Sequence, residues 1–389
     1  MCFEPLCLKT GGNAHIYYDL KDYSVLIDLL NQAKTSVFDV RFTIRTGLGL
    51  QCGELFGPIS AQDDNVYSLN GADSRVSFNM ELFGEEKSFK SNQNDIIVQP
   101  AYIFTNMYGK RIIRVLNSKV FMNNRADTIF NYSDQYVIAD YYFKKYANEI
   151  YKKSQSIDVA SKNCIRNISK IFEAYCTNTI PQDVSHSDRK SLRMPSQLAT
   201  LPSVISAIFS SFGVNISLSP NIELYHETFI NLNRADIYTN FYLLYPLIYC
   251  YNDIANESHF TSLPQRLRAL YTKMNHSKIY FVCNGKKTIV AIGESVDLPL
   301  LHAIFSDPDL CKPVQDSIDV DICVRKDTVQ GKNFYKLYKM MEKKVKQRSQ
   351  ILVTYFPSSS KSFLLRMFED SSLYSSSKCV LSIHNAFRS

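Results

Sequence analysis

The sequence predicts a multidomain α+β protein, and three changes of pattern along its 389 residues support that prediction. Apolar and polar residues alternate over residues 34–122, which is the period of half-buried antiparallel strands. Apolar residues then recur every three or four positions up to about residue 262, which is the period of amphipathic helices. Both patterns occur after residue 263. We therefore expect an antiparallel β unit, an all-α unit and a C-terminal α+β unit, in that order.

The first two units follow a short opening segment, in which HIYY predicts a strand and residues 20–33 predict a helix. In the β unit, NMYG between AYIFT and KRIIRV predicts a hairpin turn, with Gly109 free to take a positive φ. In the all-α unit, polar residues 177–191 predict a loop. Five helices are expected in that unit, over residues 136–150, 165–175, 202–212, 223–232 and 234–252.

The C-terminal unit opens with a predicted hairpin, KIYFVCNGKKTIVAIG, in which Asn284 and Gly285 form the turn. A helix (LPLLHAIF), a basic helix over residues 332–348, a strand (QILVTYF) and a last helix (KSFLLRMFED) are expected to follow. Strands interleaved with helices in this way indicate a compact α+β fold.

Composition is typical of a globular protein of the cytoplasm. The 44 Lys and Arg against 37 Asp and Glu give a net charge of +7, which is too mild for this length to suggest nucleic acid as a partner. The ten cysteines are scattered with no Cys-x-x-Cys pair, which favours reduced thiols over a disulfide scaffold or a zinc knuckle. The most apolar run, FYLLYPLIYCY, has 11 residues and contains Pro246. Because a membrane span needs about 20 residues, none is expected.

No catalytic motif is present in the sequence. The phosphate-binding patterns GxxxxGK[ST] and GxGxxG, the nucleophile elbow GxSxG and the zinc motif HExxH are all missing. His226 and Glu227 come nearest to a catalytic pair, but they lack the second histidine four residues on. We therefore expect no enzyme, no catalytic residue and no metal site, and we keep a hydrolase only as a third alternative.

The helix over residues 332–348 carries a charge of +6, most of the net charge of the chain. Its apolar face consists of Phe334, Leu337, Met341 and Val345, with Tyr338 near the edge. Its basic face, here called the lysine surface, consists of Lys332, Lys336, Lys339, Lys343 and Lys346. The lysine surface is either the solvated side of a core helix or a contact for an acidic partner or an anionic membrane. Six Asp between residues 307 and 327 could neutralise part of the charge within the same domain.

Several stretches, taken in chain order, carry a family resemblance. They are LCLKTGGNAHIYYDL, VRFTIRTGLGLQCGELFG, AYIFTNMYGKRIIRVLNSKV and LYPLIYCYNDI, followed by NGKKTIVAIG and QRSQILVTYF. They resemble segments of the Sec twenty-four family, the cargo adaptors of the COPII vesicle coat, which act paired with the related Sec twenty-three subunit. The resemblance covers essentially the whole sequence.

The resemblance implies four domains. They are a C-terminal remnant of the trunk domain over residues 1–33, an antiparallel β-sandwich over 34–122, an all-α helical domain over 123–262 and a gelsolin-like α+β domain over 263–389. The family's zinc finger and most of its trunk have no counterpart in this sequence, so neither zinc nor another cofactor is expected.

The resemblance also implies a function, that of a non-catalytic cargo adaptor in transport from the endoplasmic reticulum to the Golgi. Its expected partners are a Sec twenty-three-like coat subunit and the cytosolic tails of cargo membrane proteins. Its expected location is the cytoplasm, peripheral on the endoplasmic reticulum membrane and on COPII vesicles. The alternatives are a Sec twenty-three-type subunit, which shares the architecture and the hairpin, and a gelsolin-like actin-binding protein, suggested by the C-terminal unit alone.

In the family, an acidic export signal docks against two arginines that precede "TGL" and against a leucine of the hairpin strand. In this sequence Arg41 takes the first arginine position, Thr43 the second and Ile103 the leucine position. Arg45 is expected to share the strand face of Arg41, because side chains alternate with a period of two. An arginine fork binds a carboxylate through two hydrogen bonds. The strand pattern alone instead predicts a surface residue at Arg41 and a core residue at Ile103.

Overall fold

The computed structural model describes residues 33–47, 49–59, 61–63, 65–84, 95–123, 125–151, 153–179, 194–209, 222–285, 287–312, 316–345 and 350–356, with residues 6, 7, 10, 12 and 30. The predicted strand HIYY, the predicted helix KSFLLRMFED and nearly all of the helix over residues 20–33 lie outside these ranges, as does most of the loop over 177–191. The chain divides into two compact units. One contains residues 1–201, 209–237 and 381–389, and the other contains residues 202–208 and 238–380.

The described part of the first unit begins with eight strands. They are β1 (Val37–Thr46), β2 (Leu50–Phe56), β3 (Ala61–Asp63), β4 (Val66–Ala72), β5 (Asn79–Gly84), β6 (Asp95–Asn106), β7 (Arg111–Val115) and β8 (Ser118–Phe121). Strands β3, β4, β1, β6 and β7 lie side by side in that order, and β8 also pairs with β6. Strands β2 and β5 form a separate two-stranded sheet. All these pairs are antiparallel, as the alternating sequence predicts.

One apolar core joins the two sheets. Its buried members are Val40, Phe42, Leu55, Tyr67 and Leu69, and half-buried residues of β5 and β6 pack against them. The ring of Phe42 stacks on those of Tyr67 and Tyr102, at centroid distances of 5.2 and 5.6 Å. The buried side chains of β1 therefore fix which face of the large sheet is left open to solvent.

The predicted turn between β6 and β7 is confirmed. Gly109 has a φ of +74°, and its N–H donates to the carbonyl of Asn106 at 3.0 Å. The side-chain oxygen of Asn106 also accepts from the N–H groups of Tyr108 and Lys110, at 3.0 and 2.9 Å. The asparagine and the glycine thus both act as the turn chemistry requires.

Six α-helices follow the strands of the first unit among the residues that the structure describes. They are α1 (Ala126–Asn131), α2 (Gln135–Tyr151), α3 (Ile157–Thr179), α4 (Leu201–Phe209), α5 (Ile222–Arg234) and α6 (Ile237–Leu244). The helices predicted over 136–150, 165–175 and 223–232 are confirmed. The helix predicted over 202–212 is confirmed as far as residue 209, beyond which residues 210–212 are outside the described ranges. Residues 202–208 and 238–244 belong to the second unit.

The helix predicted over residues 234–252 is wrong. Helix α6 ends at Leu244, and Leu247–Cys250 forms a strand, β9, with all four residues buried. Pro246 lies between them, and a proline interrupts helical hydrogen bonding and clashes with the preceding turn. The apolar run LIYC then pairs with the next strand of the chain. A short, fully apolar run has no periodicity that separates a buried strand from a buried helix.

The second unit contains a five-stranded sheet. After β9 come β10 (Ile279–Cys283), β11 (Lys287–Gly293), β12 (Asp316–Ile318) and β13 (Gln350–Phe356), and the spatial order is β12-β13-β11-β10-β9. Only β11 and β13 are parallel among these pairs. The predicted β10–β11 hairpin is confirmed, with Gly285 at a φ of +88°.

In the described part of this unit, three α-helices accompany the sheet, α7 (Leu298–Ile304), α8 (Val320–Cys323) and α9 (Val329–Val345). They confirm the predicted helix LPLLHAIF and the basic helix. The mixture of helical and mainly antiparallel sheet units confirms the α+β class at this coarse level. Within the described residues, no helix is both long enough and apolar enough to cross a membrane.

Candidate binding surfaces

The open face of the large sheet brings two predicted site residues side by side. Arg41 on β1 lies directly opposite Ile103 on β6, and Thr43 lies opposite Ala101. The register is regular over this half of β1, so Arg41, Thr43 and Arg45 share one face, as the period of two predicts. Both arginines are exposed and the threonine is half-buried.

Ile103 is not a core residue, contrary to the expectation from the strand pattern. It is half-buried on the open face of β6, whereas its neighbours Tyr102 and Phe104 pack against the core. Its cross-strand neighbours are Arg41 on one side and Ile113 of β7 on the other. The pattern failed here because both faces of β6 carry apolar residues, so alternation does not show which face is buried.

Asp39 occupies the space between Arg41 and a second arginine, Arg111 of β7. The pairing of β1 with β6 is irregular at this point, and Asp39 has a φ of +45°. One carboxylate oxygen, Oδ1, lies 3.4 Å from Nε of Arg41, and the other, Oδ2, lies 2.9 Å from Nη1 of Arg111. The same Nη1 lies 2.9 Å from the Asp39 carbonyl and 2.9 Å from the hydroxyl of Thr105.

This group, here called the arginine cluster, consists of Arg41, Arg111 and Asp39. The side chains of Arg41 and Asp39 are 62% and 58% exposed, so their ion pair contributes at most about 1 kcal/mol. A carboxylate from a ligand could therefore replace that of Asp39 at little cost. Two guanidinium groups around one carboxylate are suited to binding an acidic peptide.

Neither Asp39 nor Arg111 was predicted as a site residue, although each had a signal in the sequence. Asp39 precedes Arg41 by two positions, the spacing that places side chains on one strand face. Arg111 lies opposite Thr105 across the hairpin whose turn was predicted. Pairing β6 with β7 outward from that turn would have placed Arg111 on the same sheet face as Ile103.

The lysine surface lies on α9, as predicted from the helical period. Phe334, Leu337 and Met341 are buried on the opposite side of this helix. Lys332 and Lys343 are exposed, and Lys346 lies outside the described residues. The predicted amphipathic character of the helix is therefore confirmed.

Part of the lysine surface makes contacts within its own unit. Lys336 donates to the carbonyl of Phe260 and lies 4.6 Å from the centroid of its ring. Lys339 donates to Glu342 at 2.9 Å, and this hydrogen bond raises the pKa of the lysine. Glu342 thus offsets the charge of Lys339, whereas Lys336 is held in place within the unit and keeps its charge.

The described residues contain no cluster of three or more His, Cys, Asp or Glu that could hold a metal ion. The nearest approach to a nucleophilic pair is Cys311 with His302, whose Sγ and Nδ1 are 3.6 Å apart. Burial, together with Asp307, raises the pKa of the Cys311 thiol, which is opposite to the shift that activates a nucleophilic cysteine. No disulfide joins any two cysteines of the described part.

Comparisons with curated proteins find relatives in one family, although no family model matches the sequence. The protein transport proteins SEC24 B and SEC24 C of Arabidopsis thaliana are each 23% identical over 305 residues, which is 76% of this chain. The protein transport protein SEC24 of Dictyostelium discoideum is 22% identical over 321 residues, which is 78% of this chain. The chain covers 27%, 26% and 31% of the lengths of these three relatives.

A solved structure shares the fold. It is the crystal structure of the human COPII-coat protein Sec24c, with a TM-score of 0.81 and 16% sequence identity. The alignment covers 98% of this chain and 49% of that one. The relatives and the shared fold together confirm the resemblance to the C-terminal portion of Sec twenty-four family proteins that was recognised from the sequence.

Proposed function

We propose that this chain acts in the COPII coat as a cargo adaptor, in transport from the endoplasmic reticulum to the Golgi. It binds acidic export signals in the cytosolic tails of membrane cargo, without catalysis and without a cofactor. Its coat partner is a Sec twenty-three-like subunit, and it works in the cytoplasm, peripheral on the endoplasmic reticulum membrane and on COPII vesicles. The similarity to Sec twenty-four proteins over three quarters of the chain supports this assignment.

The position of Arg41 opposite Ile103, on an open sheet face, is the observation that carries the proposal. A guanidinium group binds the signal's carboxylate, and the isoleucine beside it offers an apolar contact. Thr43 stands where the family has a second arginine, and the arginine cluster supplies that second positive charge from Arg111 instead. The proposed signal site thus consists of Arg41, Arg111, Thr43 and Ile103.

Replacing Arg41 with glutamate should weaken binding of an acidic signal peptide by about tenfold or more, because a charged hydrogen bond is lost and a repulsion is added. Fluorescence anisotropy with a labelled tail peptide measures this change. The matched control is Arg166→Glu, which reverses an exposed arginine on α3. Equal affinities for the two variants would rule out Arg41 as the signal contact. A peptide with amides in place of its carboxylates should bind both variants equally poorly.

Replacing Asp39 with asparagine should have the opposite effect and tighten binding of the same peptide by about threefold. The internal carboxylate that competes for Arg41 and Arg111 is removed, and an exposed ion pair of this kind is worth about 0.5 to 1 kcal/mol. Asparagine tolerates a positive φ as well as aspartate does, so the strand irregularity is kept. Weaker binding by Asp39→Asn would show that Asp39 supports the signal site.

The finer domain assignment is part of the same proposal. The two sheets that share a core support a β-sandwich over residues 34–122. Four strands of the five-stranded sheet, together with α7 and α9, support a gelsolin-like domain over residues 263–389, and the fifth strand, β9, comes from residues 247–250, before that range. We propose the lysine surface as a second contact, made to an acidic partner or to the membrane, and centred on the exposed Lys332 and Lys343.

A further inference from the structure

Strand β7 forms an open edge of the large sheet. Among the strands that the structure describes, only β6 pairs with it. Two of its apolar side chains are largely exposed to solvent, Ile113 to 71% and Val115 to 50%. An exposed edge strand with apolar side chains is a template onto which another extended chain can pair.

The hydrogen bonds at the two ends of β7 show which of its residues face β6. The N–H of Asn106 donates to the carbonyl of Lys110 at 2.9 Å, and the N–H of Leu116 donates to the carbonyl of Pro100 at 2.9 Å. In an antiparallel ladder, hydrogen-bonded pairs occur at every second residue. The even-numbered residues between these two ends therefore direct their backbone groups towards β6.

Ile112 and Arg114 are those inward-bonding residues. Arg111, Ile113 and Val115 consequently direct their N–H and C=O groups away from β6, towards the open edge. The side chains of these same three residues lie on the open face of the sheet, in line with Ile103 and its neighbours on β6. The edge thus offers three docking positions at alternate residues of β7. Each has an outward N–H donor, an outward carbonyl acceptor and a side chain on the open face.

The charge of this edge selects the kind of chain that it can accept. Lys110, Arg111 and Arg114 lie within six residues that contain no acidic side chain. The only acidic side chain in contact with them, among the described residues, is that of Asp39, which pairs with Arg111. A second copy of β7 would bring the same three positive charges to this edge, and charges of one sign repel each other. An acidic chain would place opposite charges there.

We propose that the β7 edge binds an extended acidic peptide as an added strand of the large sheet. The backbone groups of Arg111, Ile113 and Val115 supply the hydrogen bonds, and the basic side chains select acidic partners. Strand β7 is two strand spacings, about 10 Å, from β1. This edge shares the side chain of Arg111 with the proposed signal site. Its outward backbone groups, however, lie on the far side of β6 from Arg41, so strand addition at β7 does not depend on the proposed function.

Amide hydrogen exchange of the full chain, followed by nuclear magnetic resonance, tests the proposal with a decapeptide of alternating Glu and Val. The peptide should slow exchange of the Arg111, Ile113 and Val115 amides by about tenfold or more, because these N–H groups become bonded. Ile112 and Arg114, which already bond to β6, should change little. A decapeptide of alternating Lys and Val should protect none of them. No protection with the acidic peptide at about 1 mM, the weak end of specific binding, would overturn the proposal.

A proline variant isolates the backbone contribution. Ile113→Pro removes one outward N–H, and proline is tolerated on an edge strand where that N–H faces solvent. It should weaken binding of the acidic decapeptide by about tenfold, whereas Ile113→Val, the control that keeps the N–H, should bind as the parent does. Should Ile113→Pro unfold the edge, a decapeptide N-methylated at alternate residues gives the same test on the parent chain. Unchanged binding of that peptide would contradict strand addition.

Arg41→Glu separates this proposal from the proposed function. This variant should keep the exchange protection of β7 by the acidic decapeptide, while its affinity for the acidic signal peptide falls. Loss of the β7 pattern in Arg41→Glu would mean that both peptides share one site and would overturn a separate edge site. Loss of signal-peptide binding with the β7 protection pattern unchanged would support a separate edge site.

Discussion

Replacing Lys144 with methionine should lower the free energy of unfolding of the first unit by about 4 kcal/mol. Lys144 and Asp140 are fully buried one turn apart on α2, with Nζ 3.0 Å from Oδ2. Nζ also donates to the carbonyls of Ser77 and Ala235, at 3.1 and 3.3 Å, and to the Ser77 hydroxyl at 2.6 Å. Burial lowers the pKa of Lys144, and Asp140 opposes that shift. Without the lysine, the Asp140 carboxylate, bonded by Asn79 at 2.6 Å, stays buried without this counter-charge.

Hydrogen exchange of the α2 amides in the full chain measures this loss, because the two units need not unfold in a single transition. The matched control is Lys170→Met on α3, where the lysine is exposed and the change should stay within about 0.5 kcal/mol. The double variant Lys144→Met with Asp140→Asn should be more stable than Lys144→Met alone, since it leaves no lone buried charge. A loss no larger than that of the control would show that the pair does not stabilise the unit.

This buried pair also shows the limit of what the sequence could predict about the fold. The helical period correctly predicted α2, because it depends only on residues three and four apart. The same period gave no reason to expect that a lysine on that helix would be fully buried. Its partners Ser77 and Ala235 are 67 and 91 residues away in the chain. Local patterns contain no information about contacts at such separations.

The candidate site was predictable to a similar extent. Strand alternation placed Arg41 and Arg45 on one face, and the family resemblance selected Ile103 from a strand that is apolar at successive positions. The alternation favoured a core position for Ile103, because nothing local shows which face of β6 the second sheet covers. The spacing of two between Asp39 and Arg41 was a signal that they share a face. The contact of Asp39 with Arg111 was still missed, because it depends on an irregularity in the pairing of β1 with β6 that the sequence does not show.

Replacing Gly293 with alanine should destabilise the second unit by about 3 kcal/mol, because the new methyl group meets backbone that cannot move away. A Cβ at this position would lie 2.0 Å from the carbonyl oxygen of His276 and 2.4 Å from its carbon. Hydrogen bonds hold the two segments together at this point. The N–H of Ser295 donates to the same His276 carbonyl at 2.9 Å, and the N–H of Gly293 donates to the carbonyl of Lys278 at 3.1 Å. Relief of the clash would therefore break at least one of these bonds.

Gly109→Ala provides a contrast in which the cause of the loss is different. Gly109 has a φ of +74°, and a methyl group added to it would have no atom within 4 Å, so alanine there meets only backbone strain of about 1 to 2 kcal/mol. Hydrogen exchange of the amides of β11 and β13 reports on Gly293→Ala, and exchange of those of β6 and β7 reports on Gly109→Ala. If close packing determines the loss of stability, Gly293→Ala should lower the free energy of unfolding more than Gly109→Ala does, although the φ of Gly293 lies outside the left-handed range. An equal or smaller loss would mean that the ends of β10 and β11 separate to admit the methyl group, and that the close approach of Gly293 to His276 contributes little to the sheet.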